Sequence, residues 1–230
     1  MTSADDPAST VTASVDVKPA TGETRAVVLV LAGGKENSFD LADAGQLTAL
    51  RMRPFAAALH RRGRKRGVAV WTVRYRYRGW NGDQRSPVVD AEWALDEVRR
   101  QHADVPVVLV GHSMGGRAAL MAAGDASVRG VCALAPWTVR SDPVAQLAGK
   151  TLLVIHGTRD MVTSPRGSRS LARHAQQAGA RVGYIGLAAE MHAMVFRWRT
   201  WHRLAAGFSM GVLGIEPLPR AIEAAFNRAV

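Results

Sequence analysis

The 230-residue chain has little cysteine, little lysine and no long apolar run. Its one cysteine, Cys132, excludes an internal disulfide, and the apolar residues around it predict a buried, unreactive thiol. The longest apolar run covers residues 204–215, whereas a membrane-spanning helix needs about 18 or more apolar residues. Residues 1–9 lack the basic start and apolar stretch of a signal peptide, so we expect a cytoplasmic protein without a membrane span.

The positive charge comes almost entirely from arginine, since 26 of the 30 basic residues are Arg. A net charge of +11 is compatible with nucleic acid, an anionic membrane or an acidic substrate as partner. The densest cluster, residues 61–66, lies at the end of a predicted helix, where cations favour the helix dipole. Arg197, Arg199 and Arg203 alternate with Trp at helical spacing, which favours packing over base stacking. We interpret the charge as a solvated surface and expect no nucleic-acid partner.

Apolar runs typical of strands alternate along the chain with stretches of helical periodicity. The strand-like runs cover residues 26–31, 68–73, 105–110, 128–135, 151–155 and 181–187, and the helical stretches cover 47–62, 88–101, 117–123 and 168–178. This alternation predicts an α/β fold with a mostly parallel sheet of about six to eight strands and helices on both faces. Residues 1–20 are predicted as a flexible segment or an added antiparallel edge strand, and residues 21–230 as one domain.

The most informative motif is Gly-His-Ser-Met-Gly-Gly at residues 111–116. It lies between an apolar strand and a helix, which is the context in which G-x-S-x-G forms a sharp turn that exposes its serine. Gly111 and Gly115 let the strand and the helix approach closely, and the helix N-terminus adds positive potential beside Ser113. The same pattern recurs around Ser209, but no strand precedes it and no histidine follows it, so we expect Ser209 to be buried and inactive.

Residues with catalytic chemistry follow several of the predicted strands, and the carboxyl ends of parallel strands share one edge of the sheet. A serine needs an adjacent base, and that base needs an acid to orient it. Ser113, Asp160 and His192 each follow a different strand. Asp142 is the competing acid, and a helix cap is the alternative role of Asp160. The other histidines are weaker candidates for the base: His156 is expected to support Asp160, His112 to point away from the nucleophile, His174 to lie on a helix and His202 among Trp and Arg.

Taken together, these motifs resemble the α/β-hydrolase superfamily over residues 24–214. The resemblance is carried by the segment at 111–116, His-Gly-Thr-Arg-Asp at 156–160, the late His192, and a loop at 78–86 that is similar to R-G-x-G-x-S with inserted residues. In this superfamily the order along the chain is serine, acid, histidine. The resemblance implies a capless, esterase-like serine hydrolase in which Ser113 is the nucleophile, His192 the base and Asp160 the orienting acid.

The resemblance also implies two backbone N–H donors for the oxyanion of a tetrahedral intermediate. One donor is expected from Met114, and the other from Gly34 or Lys35 in the loop after the first apolar strand. Gly33 and Gly34 permit a close backbone approach, although Ala32 replaces the histidine of many lipases. Lys35 either adds positive potential to the site or faces solvent.

Only residues 136–150 join the fourth apolar run to the fifth, which is too short for a cap and predicts an open, shallow site. Trp80 and Trp137 are candidate rim residues that contact the substrate, with packing as an equally weighted alternative. A serine nucleophile excludes relatives that use aspartate or cysteine, and leaves carboxylic esters, thioesters, lactones and small amides. We expect a small-molecule acyl substrate, with a weak preference for an anionic one, and no metal or organic cofactor. The alternative is a non-catalytic protein of this fold that binds a ligand or partner.

Overall fold

In the computed structural model, which describes residues 11–228, one seven-stranded sheet runs through the molecule. In spatial order the strands are β1-β3-β2-β4-β5-β6-β7. In chain order they are β1 (Ser14–Lys18), β2 (Ala26–Leu31), β3 (Val68–Arg74), β4 (Val107–His112), β5 (Val128–Leu134), β6 (Thr151–Gly157) and β7 (Arg181–Leu187).

Strands β2 to β7 are parallel, and β1 adds an antiparallel edge strand in which Ser14 pairs with Arg74 and Lys18 with Val70. Parallel strands are covered on both faces, so they form continuous apolar runs. All six residues of β2 and of β4 are buried accordingly. The predicted α/β class with a mostly parallel sheet is confirmed. Residues 1–10 of the predicted N-terminal segment lie outside the described residues.

Six α-helices occur among residues 11–228: α1 (Leu47–Gly63), α2 (Ser86–Gln101), α3 (Met114–Ala122), α4 (Pro165–Gln177), α5 (Trp198–Val212) and α6 (Arg220–Phe226). Helix α1 packs against α5, and α2 packs against α3. Helix α2 shows why these segments are helical, because Val88, Ala91, Leu95 and Val98 recur at helical spacing and all are buried. The sheet and these helices enclose the core, which includes the free Cys132 in β5, and burial raises the pKa of that thiol.

Two element boundaries differ from the sequence prediction in a way that shapes the site. Strand β4 continues to His112, and α3 begins at Met114, three residues before its predicted start. Ser113 is therefore the single residue between strand and helix.

The connection from β5 to β6 contains only a short 3-10 turn at Ala145–Leu147, so the described chain has no substantial cap there, as predicted. Among residues 11–228, no helix combines the length and the apolarity that crossing a membrane requires.

Candidate active site

The strand ends bring the predicted site residues to one edge of the sheet. Ser113 follows β4, Asp160 follows β6 and His192 follows β7. Gly33 and Gly34 follow β2, which lies next to β4 in the sheet. This edge is where ligands bind in open α/β sheets.

Ser113 adopts a strained backbone conformation, with φ 56° and ψ −118°, directly before α3. The turn depends on its glycines, because a Cβ on Gly111 would lie 2.2 Å from the carbonyl oxygen of Gly115. A Cβ on Gly115 would lie 2.3 Å from the carbonyl oxygen of Ala32. Backbone strain of this kind concentrates at functional sites, where the surrounding structure enforces it.

The acid and the histidine form a direct pair. Nδ1 of His192 lies 2.8 Å from Oδ2 of Asp160, which leaves Nε2 of His192 for another partner. The other oxygen, Oδ1, accepts hydrogen bonds from the backbone N–H of Val162 at 2.8 Å and of Thr163 at 2.9 Å. Burial by itself raises the pKa of the Asp160 carboxyl. Hydrogen bonds from His156, from His192 and from the backbone hold that pKa well below its usual range. Asp160 is therefore ionised at neutral pH.

A second layer of side chains surrounds Asp160. Nε2 of His156 lies 3.1 Å from Oδ2 of Asp160, and Nδ1 of His156 lies 2.7 Å from the hydroxyl of Ser168. The hydroxyl of Thr163 lies 3.0 Å from the same Oδ2 and 3.2 Å from Nδ1 of His192. Sequence reasoning missed Thr163 and Ser168. The signal for Thr163 is its place three residues after an aspartate, the spacing at which a carboxylate accepts from the following backbone.

His112 contacts the segment that carries His192. Its Nε2 lies 3.1 Å from the backbone carbonyl oxygen of His192, and the two rings are 4.7 Å apart. Because a carbonyl only accepts, Nε2 of His112 carries the proton. Burial, the neighbouring His192 and Arg51 lower the pKa of His112 to about 3, so the ring is neutral. Its other nitrogen, Nδ1, is buried without a hydrogen-bond partner.

Glu190 anchors the same segment. Its carboxylate is buried and accepts hydrogen bonds from the backbone N–H of Arg197 at 2.7 Å and of Phe196 at 3.3 Å, and from Nε1 of Trp201 at 3.1 Å. Sequence reasoning missed this residue, although an acid two residues before the candidate base was a usable signal.

Within residues 11–228, no hydrogen bond joins the hydroxyl of Ser113 to His192.

Met114 and Gly34, the residues expected to supply the oxyanion donors, are close to each other through the side chain of Met114. Met114 is the first residue of α3, and the N–H groups of a first helical turn have no intrahelical acceptor. A Cβ on Gly34 would lie 2.4 Å from Cε of Met114 and 2.4 Å from the carbonyl oxygen of Arg78. A Cβ on Gly33 would lie 3.3 Å from Cβ of Ser113. The two glycines thus bring the loop after β2 into contact with the turn that carries Ser113.

Backbone pairing holds this loop in place. The N–H of Lys35 donates to the carbonyl oxygen of Arg78 at 2.8 Å, and the N–H of Trp80 donates to that of Lys35 at 2.9 Å. The hydroxyl of buried Tyr75 donates to the carbonyl oxygen of Ala32 at 3.2 Å. The side chain of Lys35 is exposed.

Trp80, Trp137 and the buried Arg117 form a cluster in which the two rings meet edge to face, with centroids 5.7 Å apart. The guanidinium carbon of Arg117 lies 4.1 Å from the ring of Trp80 and 4.4 Å from that of Trp137. The same guanidinium binds Asp142 through Nη2 at 2.7 Å and Nε at 3.0 Å. Asp142, the competing acid, is thus paired with an arginine. The N–H of Trp137 donates to the carbonyl oxygen of Ser113 at 3.0 Å, which ties this cluster to the nucleophile turn.

A cavity of about 500 Å³ begins at Gly33 and extends between α1 and strands β1 and β3. Small residues form much of its wall, among them Ala32, Ala49 and Ala56, together with Tyr75. This volume lies in the range of small-molecule sites. The described residues contain no group of three or more His, Cys, Asp or Glu side chains placed to hold a metal ion.

The remaining candidates lie away from this edge or lack a free reactive group. The hydroxyl of Ser209 is buried in α5 and donates to the carbonyl oxygen of Ala205 at 2.8 Å. His174 lies on α4, and His202 packs edge-on against Phe55 and Trp198.

Comparison with known protein families identifies the family of this chain. Residues 28–226 match the model of the alpha/beta hydrolase family, and the chain therefore belongs to that family. A search of curated protein sequences finds no match.

Solved structures share the fold at low sequence identity. A butyrate-bound esterase from Thermogutta terrifontis is 16% identical, with a TM-score of 0.65 and coverage of 90% of this chain and 91% of that chain. An esterase from Pyrobaculum calidifontis is 17% identical, with a TM-score of 0.66 and coverage of 88% and 81%. A serine hydrolase without a lid from Xanthomonas campestris is 20% identical, with a TM-score of 0.59 and coverage of 90% and 91%.

Proposed function

We propose that this protein is a serine hydrolase that cleaves carboxylic esters through an acyl-enzyme, with Ser113 as nucleophile, His192 as general base and Asp160 as the orienting acid. The observation that carries the proposal is the pair formed by ionised Asp160 and His192, at the same sheet edge as the strained turn of Ser113. This arrangement leaves Nε2 of His192 free to act on a hydroxyl. Thioesters, lactones and small amides have the same acyl chemistry, and a cytoplasmic location stays a prediction.

In the acylation step, Nε2 of His192 takes the hydroxyl proton of Ser113 while Oγ of Ser113 bonds to the substrate carbonyl carbon. The carbonyl oxygen becomes negative, and the N–H groups of Met114 and Gly34 stabilise it. When the intermediate collapses, the bond to the alcohol oxygen breaks and His192 returns the proton to that oxygen. Water then repeats the sequence on the acyl-enzyme and releases the carboxylic acid and free Ser113.

We assign a short or medium acyl group of the substrate to the cavity whose wall includes Gly33, although Ser113, Met114 and His192 do not line that cavity. Its volume is about 500 Å³ and its wall is rich in alanine. The esterases with the same fold support an ester bond as the target. Contacts of substrate with Gly33, Lys35, Trp80 and Trp137 remain predictions, and packing on Arg117 already explains the two tryptophans.

A fluorophosphonate probe followed by peptide mass spectrometry tests the nucleophile directly. We expect a single adduct on Ser113, and turnover of p-nitrophenyl acetate and butyrate that Ser113→Ala abolishes. The chain offers a matched control in Ser209→Ala, because Ser209 occupies the second G-x-S-x-G and its hydroxyl is committed to Ala205. Absence of both labelling and turnover would refute the proposal and support a non-catalytic ligand-binding protein.

A further inference from the structure

The exposed apolar side chains of this protein are concentrated beside the candidate site. Twelve large hydrophobic residues are exposed among residues 11–228. Five of them lie in the two loops that follow β6 and β7, and a sixth, Trp198, is the first residue of α5. The most exposed of the six are Met161, at 93%, Val162, at 72%, and Phe196, at 71%. The others are Met191, Val195 and Trp198. A contiguous exposed apolar patch marks an interaction surface, whereas single exposed residues do not.

Hydrogen bonds join the two loops to each other. Strands β6 and β7 are neighbours, and the backbone N–H of Arg159 donates to the carbonyl oxygen of Glu190 at 3.0 Å. The N–H of Ala189 donates to the hydroxyl of Thr158 at 3.0 Å. The pair of Asp160 and His192 joins the loops a third time.

Arginines are the only exposed charged side chains among residues 158–166 and 188–199, which include the two loops and the first two residues of α4 and of α5. Arg159, Arg166, Arg197 and Arg199 are exposed, and among the described residues none of them has a carboxylate partner. The two acids of the loops, Asp160 and Glu190, are buried. We call the six apolar residues and these four arginines the basic apolar face.

We propose that the basic apolar face binds the surface of an anionic lipid bilayer. Exposed Phe, Trp, Met and Val side chains fit the boundary between headgroups and acyl chains, and arginines attract anionic headgroups. A second copy of this chain is a poorer occupant, because a symmetric contact would bring arginines together with no acid between them. A nucleic acid would be recognised through phosphates and base stacking, which leaves four aliphatic or thioether side chains without a role.

Binding through the basic apolar face would fix the orientation of the protein on the bilayer. His192 lies in the loop that carries Met191, Val195 and Phe196, so a bilayer on this face would meet the carboxyl edge of the sheet. The inference concerns binding and does not depend on turnover.

Co-sedimentation with vesicles tests the proposal. Wild-type protein and Ser113→Ala are mixed with vesicles of phosphatidylcholine alone, or of phosphatidylcholine with phosphatidylglycerol. We expect both proteins to bind the mixed vesicles, not the neutral ones, and to bind less as salt is raised. Use of Ser113→Ala separates failure of this inference from failure of the proposed hydrolase activity.

Two double variants address the two components of the face. We expect Met161→Ser with Phe196→Ser, and Arg159→Gln with Arg197→Gln, each to weaken binding by about tenfold or more. The controls are Val89→Ser on α2 and the equal charge change Arg64→Gln with Arg129→Gln, all at exposed positions elsewhere. All these side chains are exposed, so the variants should keep the wild-type melting temperature.

Three results would overturn the proposal. The first is no binding to the anionic vesicles at low salt. The second is equal weakening by the control arginine pair, which would reduce the effect to net charge. The third is a dimer, detected by light scattering, that Phe196→Ser dissociates, which would make the face a contact between copies of this chain.

Discussion

The two halves of the candidate site are built by different physical means. On the acid–histidine side, Asp160 accepts hydrogen bonds from two histidines, one hydroxyl and two backbone N–H groups. On the oxyanion side, Gly33 and Gly34 lie in van der Waals contact with Ser113, Met114 and the backbone of Arg78. Hydrogen bonds to the Asp160 carboxylate therefore hold the acid–histidine side in place. Close backbone packing around two glycines shapes the oxyanion side.

This difference indicates how each half should respond to mutation. Removing a charge from the acid–histidine side should change chemistry with little change in shape. Adding a single carbon to the oxyanion side should change shape with no change in charge. Four substitutions test this contrast. Their expected effects on turnover decrease in the order Asp160→Asn, Gly34→Ala, Arg117→Met and His112→Gln.

The largest effect is expected from Asp160→Asn. An amide places a donor where the site needs an acceptor, and favours the wrong tautomer of His192, so kcat should fall about 10³- to 10⁴-fold. Esterase kinetics measure the loss. The control is Asp142→Asn, which changes the other candidate acid while leaving the Asp160–His192 pair intact. A larger loss of kcat in Asp142→Asn than in Asp160→Asn would contradict the assignment of the acid.

The next effect is expected from Gly34→Ala. The new Cβ would lie 2.4 Å from a backbone oxygen of Arg78, so the loop must move and displace an oxyanion donor. Loss of one such donor lowers kcat about 10²- to 10³-fold with a smaller change in KM. Gly45→Ala in the same connection is the matched control, since its nearest neighbour would lie at an ordinary 3.5 Å. Equal kinetics in the two variants would remove Gly34 from the oxyanion site.

A smaller loss of turnover is expected from Arg117→Met, which removes the guanidinium that packs on Trp80 and Trp137 and pairs with Asp142. The side chains of Arg117 and Asp142 are only 10% and 4% exposed, so losing one partner strands a buried charge. The free energy of unfolding should fall by about 3 kcal/mol, measured in urea. We expect kcat to fall about tenfold through a displaced nucleophile turn. Arg100→Met, which breaks an exposed pair with Glu97, should cost less than about 1 kcal/mol. If both variants lost the same stability, the buried pair of Arg117 with Asp142 would contribute no more than an exposed pair.

His112→Gln should have the smallest effect on turnover of the four variants. It should also change how the free energy of unfolding depends on pH. Gln can still donate to the carbonyl oxygen of His192 but does not titrate. In the wild type, the folded-state pKa of His112 is lowered to about 3, against about 6.5 for an unfolded histidine. Between these values the unfolded chain binds more protons, so stability falls on acidification by up to about 1.4 kcal/mol per pH unit.

Denaturant midpoints between pH 7 and pH 4 measure this slope. His112→Gln should flatten it, whereas the exposed control His174→Gln should leave it unchanged. Asp160, whose pKa is lowered in the fold, adds a further loss of stability below about pH 4 in all three proteins. Parallel curves for wild type and His112→Gln would show that the His112 ring is not held neutral.

Much of the fold and the acid–histidine side followed from sequence. Apolar runs at residues 26–31 and 181–187 match β2 and β7 at both ends. Asp160 and His192 were predicted together as acid and base, from their places after two strands and their order along the chain, and Nδ1 of His192 lies 2.8 Å from Oδ2 of Asp160 in the structure. Such features are encoded locally, because periodicity and residue chemistry are read within a few positions along the chain.

Contacts between segments that are distant along the chain were decided by the tertiary structure. The sequence does not show that Arg117 packs on both Trp80 and Trp137, or that Gly34 is enclosed by Met114 and Arg78. The grouping of exposed Met, Val, Phe and Trp with four arginines also depends on how β6 and β7 align. Periodicity and motifs along the chain therefore determined the sheet and the catalytic candidates. Strand order and register alone decided which residues meet, because contacts across a sheet depend on three-dimensional pairing and not on spacing along the chain.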